Sequence, residues 1–191
     1  MNSIKKISLA HFLKLILIAA VILLGWWFSF QLGDNKQVIE IVERYGYAGI
    51  FVIAIVSGFN LIVPIPAISF LPLYVASGLS LFLVFLTIAV GVTIADTVAY
   101  YIGHFGRIAA SGEIARIIQR LIKWREKNHA LPYIILFLFA TFAPLPNEVL
   151  LIPMGLLGYR LAYVLPIVFT GNLLFNSFSG YGLFNILGRI F

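Results

Sequence analysis

Apolar residues fill the chain in long runs, and the few polar positions interrupt them at informative places. Lys5, Lys6 and Lys14 precede an uncharged run from Leu15 to Gly33. That run is longer than the ~7–15-residue apolar core of a signal peptide and ends without a small-residue cleavage site. Trp26 and Trp27 lie toward its far end, where amphipathic rings favour the membrane–water interface. The pattern predicts an uncleaved first helix over residues 10–32 with its N-terminus in the cytoplasm. Residues 34–44 form a polar patch with three acids (Asp34, Glu40, Glu43) and two bases (Lys36, Arg44). From Tyr45 to Ala95 there is no charge at all. This run is too long for one crossing of ~20 residues and too short for three with turns. Pro64-Ile65-Pro66 should break it within the membrane, because proline lacks an N–H and biases its predecessor away from helix.

Charge returns in residues 104–129, where Arg107, Arg116, Arg120, Lys123, Arg125 and Lys127 outnumber Glu113 and Glu126. Ile114, Ile117, Ile118, Leu121 and Trp124 recur there at helical spacing, with cations opposite, as in an interfacial helix. A basic segment belongs on the cytoplasmic side, and the patch at 34–44 on the outer side. An odd number of crossings must separate them. One crossing helix over about 80–103, plus a hairpin entering and leaving from the outside, uses the residues available. The same reasoning turns residues 131–159, broken at Pro144-Leu145-Pro146 and again at Pro153, Gly155 and Gly158, into a hairpin from the cytoplasmic side. Arg160 then lies at the inner surface and residues 161–182 cross outward. Irregular backbone at membrane depth survives only where protein buries it or water reaches it. Both Pro-x-Pro segments are therefore expected as protected tips.

Composition agrees with this reading. Of 191 residues, 62% are hydrophobic and 10% charged, against roughly 25% charged in a soluble domain. The net charge of +6 fits an excess of cytoplasmic Lys and Arg better than nucleic-acid binding. The absence of cysteine excludes disulfides and thiolate chemistry. No phosphate loop, metal-ligand motif or nucleophile elbow occurs, so neither an enzyme nor a cofactor is expected.

The two halves agree at one offset. Pro64 and Pro66 match Pro144 and Pro146, Gly78 matches Gly158, Gly91 matches Gly171, Asp96 falls on Asn176 and Tyr101 on Tyr181, all 80 positions apart. One unit starts outside and the other inside, so the repeat is inverted, an architecture of secondary transporters. The expected fold is all-α: a polytopic membrane protein with two inverted-repeat re-entrant hairpins and flanking transmembrane helices. Residues 1–44 supply the first helix and outer patch, 45–182 the transport domain (repeats about 60–103 and 140–182), and 183–191 a tail.

Several side chains are candidates for a site. Asp96 sits deep in an apolar stretch, where an ionised carboxylate is costly; it reads as a proton or headgroup site, or as a hydrogen-bond partner of Tyr100 one turn on or of a neighbouring helix. Glu148 either caps a restarting helix or shares a proton with Asp96. Asn172, Asn176 and Ser179 share one face, which interhelical hydrogen bonding alone would explain. Gly91, Ala95, Ala99 and Gly103 form a ridge for close packing. His104 and His129 read as solvated loop residues, and nothing points to a metal.

The segment Gly91-Val-Thr-Ile-Ala-Asp96-Thr-Val-Ala-Tyr100-Tyr101-Ile-Gly103, together with the paired Pro-x-Pro hairpins, resembles the DedA/VTT superfamily of integral membrane proteins (SNARE-associated Golgi proteins) over roughly residues 45–182. The resemblance implies a lipid-handling membrane protein with two opposed re-entrant hairpins, moving phospholipids or polyprenyl-phosphate carriers, in bacteria with dependence on the proton-motive force. Two departures weigh against a carrier phosphate. Pro66 is followed by Ala67, Ile68 and Ser69 where many members have an acid. Asn147 and Glu148 stand where many have arginines, the nearest being Arg160. The expected function is lipid transport, flippase- or scramblase-like and proton-coupled. Small-solute or ion transport and a non-transporting assembly role are the alternatives. Membrane lipids and protons are the expected partners, without nucleic acid, and oligomers are compatible. The expected site comprises Asp96, Glu148, Asn147, Asn176, Tyr100 and Arg160. The short chain without sorting extensions suggests a prokaryotic cell membrane.

Overall fold

The computed structural model describes residue 20 and residues 23–59, 66–127 and 130–187, and among these it is helical without a strand. Most of the expected first helix, Pro64 and His129 lie outside the described residues. Residues 23–33 are helical (α1). The chain then turns at Asp34 into α2 (Lys36–Gly58), whose start is capped by Asn35. The Asn35 Oδ1 accepts from the backbone N–H of Gln37 at 3.0 Å and of Val38 at 3.4 Å, covering donors that a helix start leaves bare. Within α2, Gly46 adopts φ 47° and ψ −134° and kinks the helix. No L side chain accepts that conformation cheaply. Beyond it the helix is uncharged.

Pro66, in extended conformation, leads into a 3₁₀ turn (Ala67–Phe70) and the short α3 (Leu71–Ala76). α4 (Leu81–Ala109) is a single helix of 29 residues. It starts where the crossing was expected and continues through residues 104–109, so the basic segment begins as helix. α5 (Gly112–Lys127) follows; its Ile118 is buried while Ile117 and Leu121 are exposed. α6 (Leu131–Phe142) stops before Pro144-Leu145-Pro146, and no helix runs through that segment. α7 (Glu148–Leu157) ends at Gly158, and α8 (Leu161–Leu187) completes the described chain.

α4 and the Leu161–Gly182 part of α8 are long and apolar enough to cross a membrane, with mean hydropathies of 2.2 and 1.5. At ~1.5 Å per residue, even the shorter part exceeds a ~30 Å hydrocarbon core. Their neighbourhoods repeat at the 80-residue offset. Gly78 and Gly158, three residues before the two helix starts, have φ 70° and 72°, a left-handed stop that glycine provides. Gly91 and Gly171 face Ala54 of α2 and Ala140 of α6, where an added Cβ would come within 2.6 and 2.5 Å of the alanine Cβ.

α4 joins two apolar cores. Val84, Phe85 and Ile88 pack with Trp26, Ile50 and Leu71. Ala99 and Tyr100 pack with Leu136, Leu151 and Val168. Against α7 the seam is closest. Gly103 meets the Ile152 carbonyl and Gly155 meets the Tyr100 carbonyl, with no room for a Cβ on either side. Small residues let two helix backbones approach this far. The stretch of α4 between the cores, Thr93 to Asp96, is where polar side chains collect.

Candidate functional site

The α4–α7 seam brings the start of α7 against the middle of α4, and α8 closes the third side. Asp96 from α4 is only 1% exposed; Thr93 one turn earlier, Asn147 and Glu148 at the α7 start, and Asn172 and Asn176 on α8 are all buried. The break after α6 is what delivers Asn147 and Glu148 here. A continuous helix through Pro144–Pro146 would keep its backbone polar groups to itself and present no helix start beside Asp96.

The hydrogen bonds converge on one oxygen. Asn172 Nδ2 donates to Asp96 Oδ2 at 2.7 Å and to Thr93 Oγ1 at 3.1 Å. Asn147 Nδ2 donates to the same Asp96 Oδ2 at 3.1 Å and to Asn172 Oδ1 at 2.9 Å. The Thr93 hydroxyl donates to the Ala89 carbonyl at 2.7 Å, and Asn176 Nδ2 to the Asn172 carbonyl at 2.7 Å. A side-chain amide has two N–H donors and a hydroxyl has one. The donors of Asn147, Asn172 and Thr93 are thus all spent. Two acceptors are left over: Asp96 Oδ1 and Glu148 Oε2 are buried and have no hydrogen-bond partner. Glu148 lies close enough for its charge to act on Asp96. Among the residues whose side chains are described, no lysine or arginine is buried.

The cluster therefore has a definite chemical sense. Around Asp96 the amide and hydroxyl donors of Asn147, Asn172 and Thr93 are all engaged, and two carboxyl oxygens remain to accept. A bare acceptor in an apolar setting costs free energy comparable to a lost hydrogen bond, and more if it is charged. What completes the cluster is a proton, a cation or a hydrogen-bond donor. A group of at least three His, Cys, Asp or Glu side chains able to hold a metal does not occur among the described residues. Glu148 occupies the first turn of α7, where a carboxylate also opposes the helix dipole.

Of the expected site residues, Asp96, Glu148 and Asn147 come together, and Asn176 joins them through the backbone of Asn172. Tyr100 does not bond Asp96; its hydroxyl donates to the Tyr159 carbonyl and ties α4 to the α7–α8 turn. Arg160 is exposed, with its guanidinium 5.6 Å from the centre of the Tyr163 ring, and takes no part in the cluster. Pro146 lies beside the cluster as the acceptor for the Val149 N–H, and Pro144 is exposed. Asn172, read from the sequence as an interhelical hydrogen-bonding residue beside Asn176, and Thr93, which sequence reasoning did not single out, both belong to the cluster. Their signal was spacing: Thr93 precedes Asp96 by three residues on a helix face, and Asn172 precedes Asn176 by four.

Compared with known proteins, the chain matches no family model, no curated protein and no solved structure.

Proposed function

We propose that the protein is an integral membrane transporter of the DedA/VTT type that moves lipids across the bilayer, in the manner of a proton-coupled flippase or scramblase. The observation that carries this reading is the polar cluster at mid-length of two span-length helices, with Asp96 Oδ1 and Glu148 Oε2 unpartnered. Ionisable groups at membrane depth are costly and mark pathways and coupling sites.

In the proposed arrangement, Pro64–Pro66 and Pro144–Pro146 are tips of opposed re-entrant hairpins, the N-terminus and the basic segment face the cytoplasm, and the membrane is a prokaryotic cell membrane. The broken backbone at Pro144–Pro146, the helix start at Glu148 and the matched left-handed glycines at 78 and 158 support an inverted repeat. The charge of Glu148 acts on Asp96, so protonation of one affects the other, which is the physical basis for proton coupling between the two. The bare acceptors also suit a small cation carried alone, the second reading. Reconstitution into liposomes with fluorescent lipid in one leaflet, with and without a pH gradient, tests the proposal. Lipid should change leaflets faster than in protein-free liposomes, and the gradient should alter the rate. Cation flux without lipid movement would favour the second reading.

A further inference from the structure

α4 ends in an exposed apolar surface made by Ile102, Phe105 and Ile108. The chain then turns at Gly112, whose φ is 61°, into α5. Successive residues of a helix step round its axis by about 100°, and residues four apart share a row. α5 therefore shows three rows in turn around its circumference. Ile118 and Ile122 form the row toward the protein, buried and half-buried, and α5 packs there against α7. Ile117 and Leu121 form the next row and are 50% and 45% exposed. Arg116 and Arg120 form the third, and both are exposed. An uncovered apolar row flanked by cations is the pattern of a helix lying in a membrane interface.

Charge at this end of the bundle is one-sided. The bond from Tyr100 to the Tyr159 carbonyl places the last turns of α4 beside the start of α8, so Arg107 and Arg160 share the end that carries α5. Arg107, Arg116, Arg120 and Arg160 are exposed there, against Glu113 as the exposed acid among the described residues. Lys123, Arg125 and Lys127 continue the excess along the sequence, against Glu126. At the opposite end the bond from the Ser80 N–H to the Tyr47 hydroxyl sets the first half of α2 beside the start of α4. There Asp34, Glu40 and Glu43 nearly balance Lys36 and Arg44.

We propose that α5 is a membrane-surface helix that docks on anionic phospholipid headgroups, with Ile117 and Leu121 below the headgroups and Arg116 and Arg120 on phosphate oxygens. The proposal goes beyond the transport reading: it asks that α4 and α8 span a bilayer and names nothing that is carried across. An acidic protein or a nucleic acid would answer the arginines but leave Ile117 and Leu121 in water. A bilayer answers both rows, and the exposed apolar end of α4 leads straight into it. Guanidinium–phosphate bonds are charge-assisted, and an anionic leaflet attracts each nearby arginine.

The chain has no cysteine, so Leu121→Cys and, on the far side of α5, Gln119→Cys can each carry an environment-sensitive fluorophore in the full-length protein. The test uses nanodiscs holding one copy each, of phosphatidylcholine alone or mixed with phosphatidylglycerol. The probe at 121 should be shielded from acrylamide and quenched by nitroxide lipid, more completely in the anionic discs, while the probe at 119 stays in water in both. Arg116→Gln and Arg120→Gln should each lower the docked-to-undocked ratio about fivefold in anionic discs and leave neutral discs unchanged. Salt at about 1 M should erase the anionic preference, and Arg120→Lys should keep most of it. Both arginines are exposed, so the unfolding midpoints should hold, which separates undocking from misfolding. A probe at 121 that stays in water in both discs would overturn the proposal, as would shielding that is equal in both and indifferent to the arginine variants. Shielding that needs two copies per disc would assign the face to a second copy instead, and an anionic effect reproduced by inorganic phosphate over neutral discs would assign the arginines to a free anion; either result also overturns it. Docking without lipid movement in liposomes would remove the transport reading and leave this one.

Discussion

A carboxyl oxygen left bare between apolar helices costs several kcal/mol unless a proton, cation or donor reaches it, and Asp96 has its two amide donors on one oxygen and none on the other. Asp96→Asn tests what that asymmetry is for. The asparagine carbonyl can take the place of Oδ2 and keep both amide donors, while its Nδ2 takes the bare position of Oδ1. The variant should fold and unfold near the wild-type temperature, yet lose the response of lipid movement to a pH gradient. Asn172→Ala should behave differently. It removes the shortest bond to Asp96 and the donor to Thr93, and should lower stability by about 1–3 kcal/mol, read as a lower unfolding midpoint. A midpoint unchanged in Asn172→Ala would mean that the amide contributes nothing to holding Asp96.

Elements set where these side chains meet, and the α4–α7 seam sets it most tightly. A Cβ at Gly155 or Gly103 would collide with backbone carbonyls of the partner helix, which cannot rotate away. Gly155→Val should force the helices apart, cost about 1–3 kcal/mol or more, and displace Asn147 and Glu148 from Asp96. Its unfolding midpoint should fall further than that of Gly182→Val, where an added Cβ meets nothing within 4 Å. Much of this level was legible beforehand. Prolines and glycines announce breaks locally, so the stops at 78 and 158 and the interruption at 144–146 could be placed from the sequence alone. Long uncharged runs likewise announced α4 and α8. What was not legible was pairing. Thr93 and Asn172 are short polar residues inside helices, and their spacing is equally that of interhelical glue. Tyr100 stands one turn from Asp96 and invites a bond to it. Only the position of Tyr159, set by the left-handed turn at Gly158, shows that the hydroxyl is engaged there instead. The extension of α4 to Ala109 was hidden because charge was taken to end the crossing, whereas a helix of 29 residues is longer than a ~30 Å hydrocarbon core requires and can continue through Arg107.

At the scale of the whole molecule, two apolar cores share one long helix, with the carboxyl pair between them. The proposed topology places residues 36 and 120 on opposite sides. Single cysteines introduced there, in a chain that has none, should react differently with an impermeant thiol reagent added outside intact cells: Lys36→Cys labelled, Arg120→Cys not. The reverse pattern would invert the orientation. Lipid movement in liposomes reconstituted with equal amounts of wild-type protein and of a folded Asp96→Asn variant bears most directly on the central claim, that the buried carboxyl cluster is the working site of a lipid transporter. The account predicts leaflet exchange with the wild-type protein that a pH gradient alters, and exchange with the variant that is no longer gradient-sensitive. Equal rates and equal gradient responses in the two preparations would contradict it.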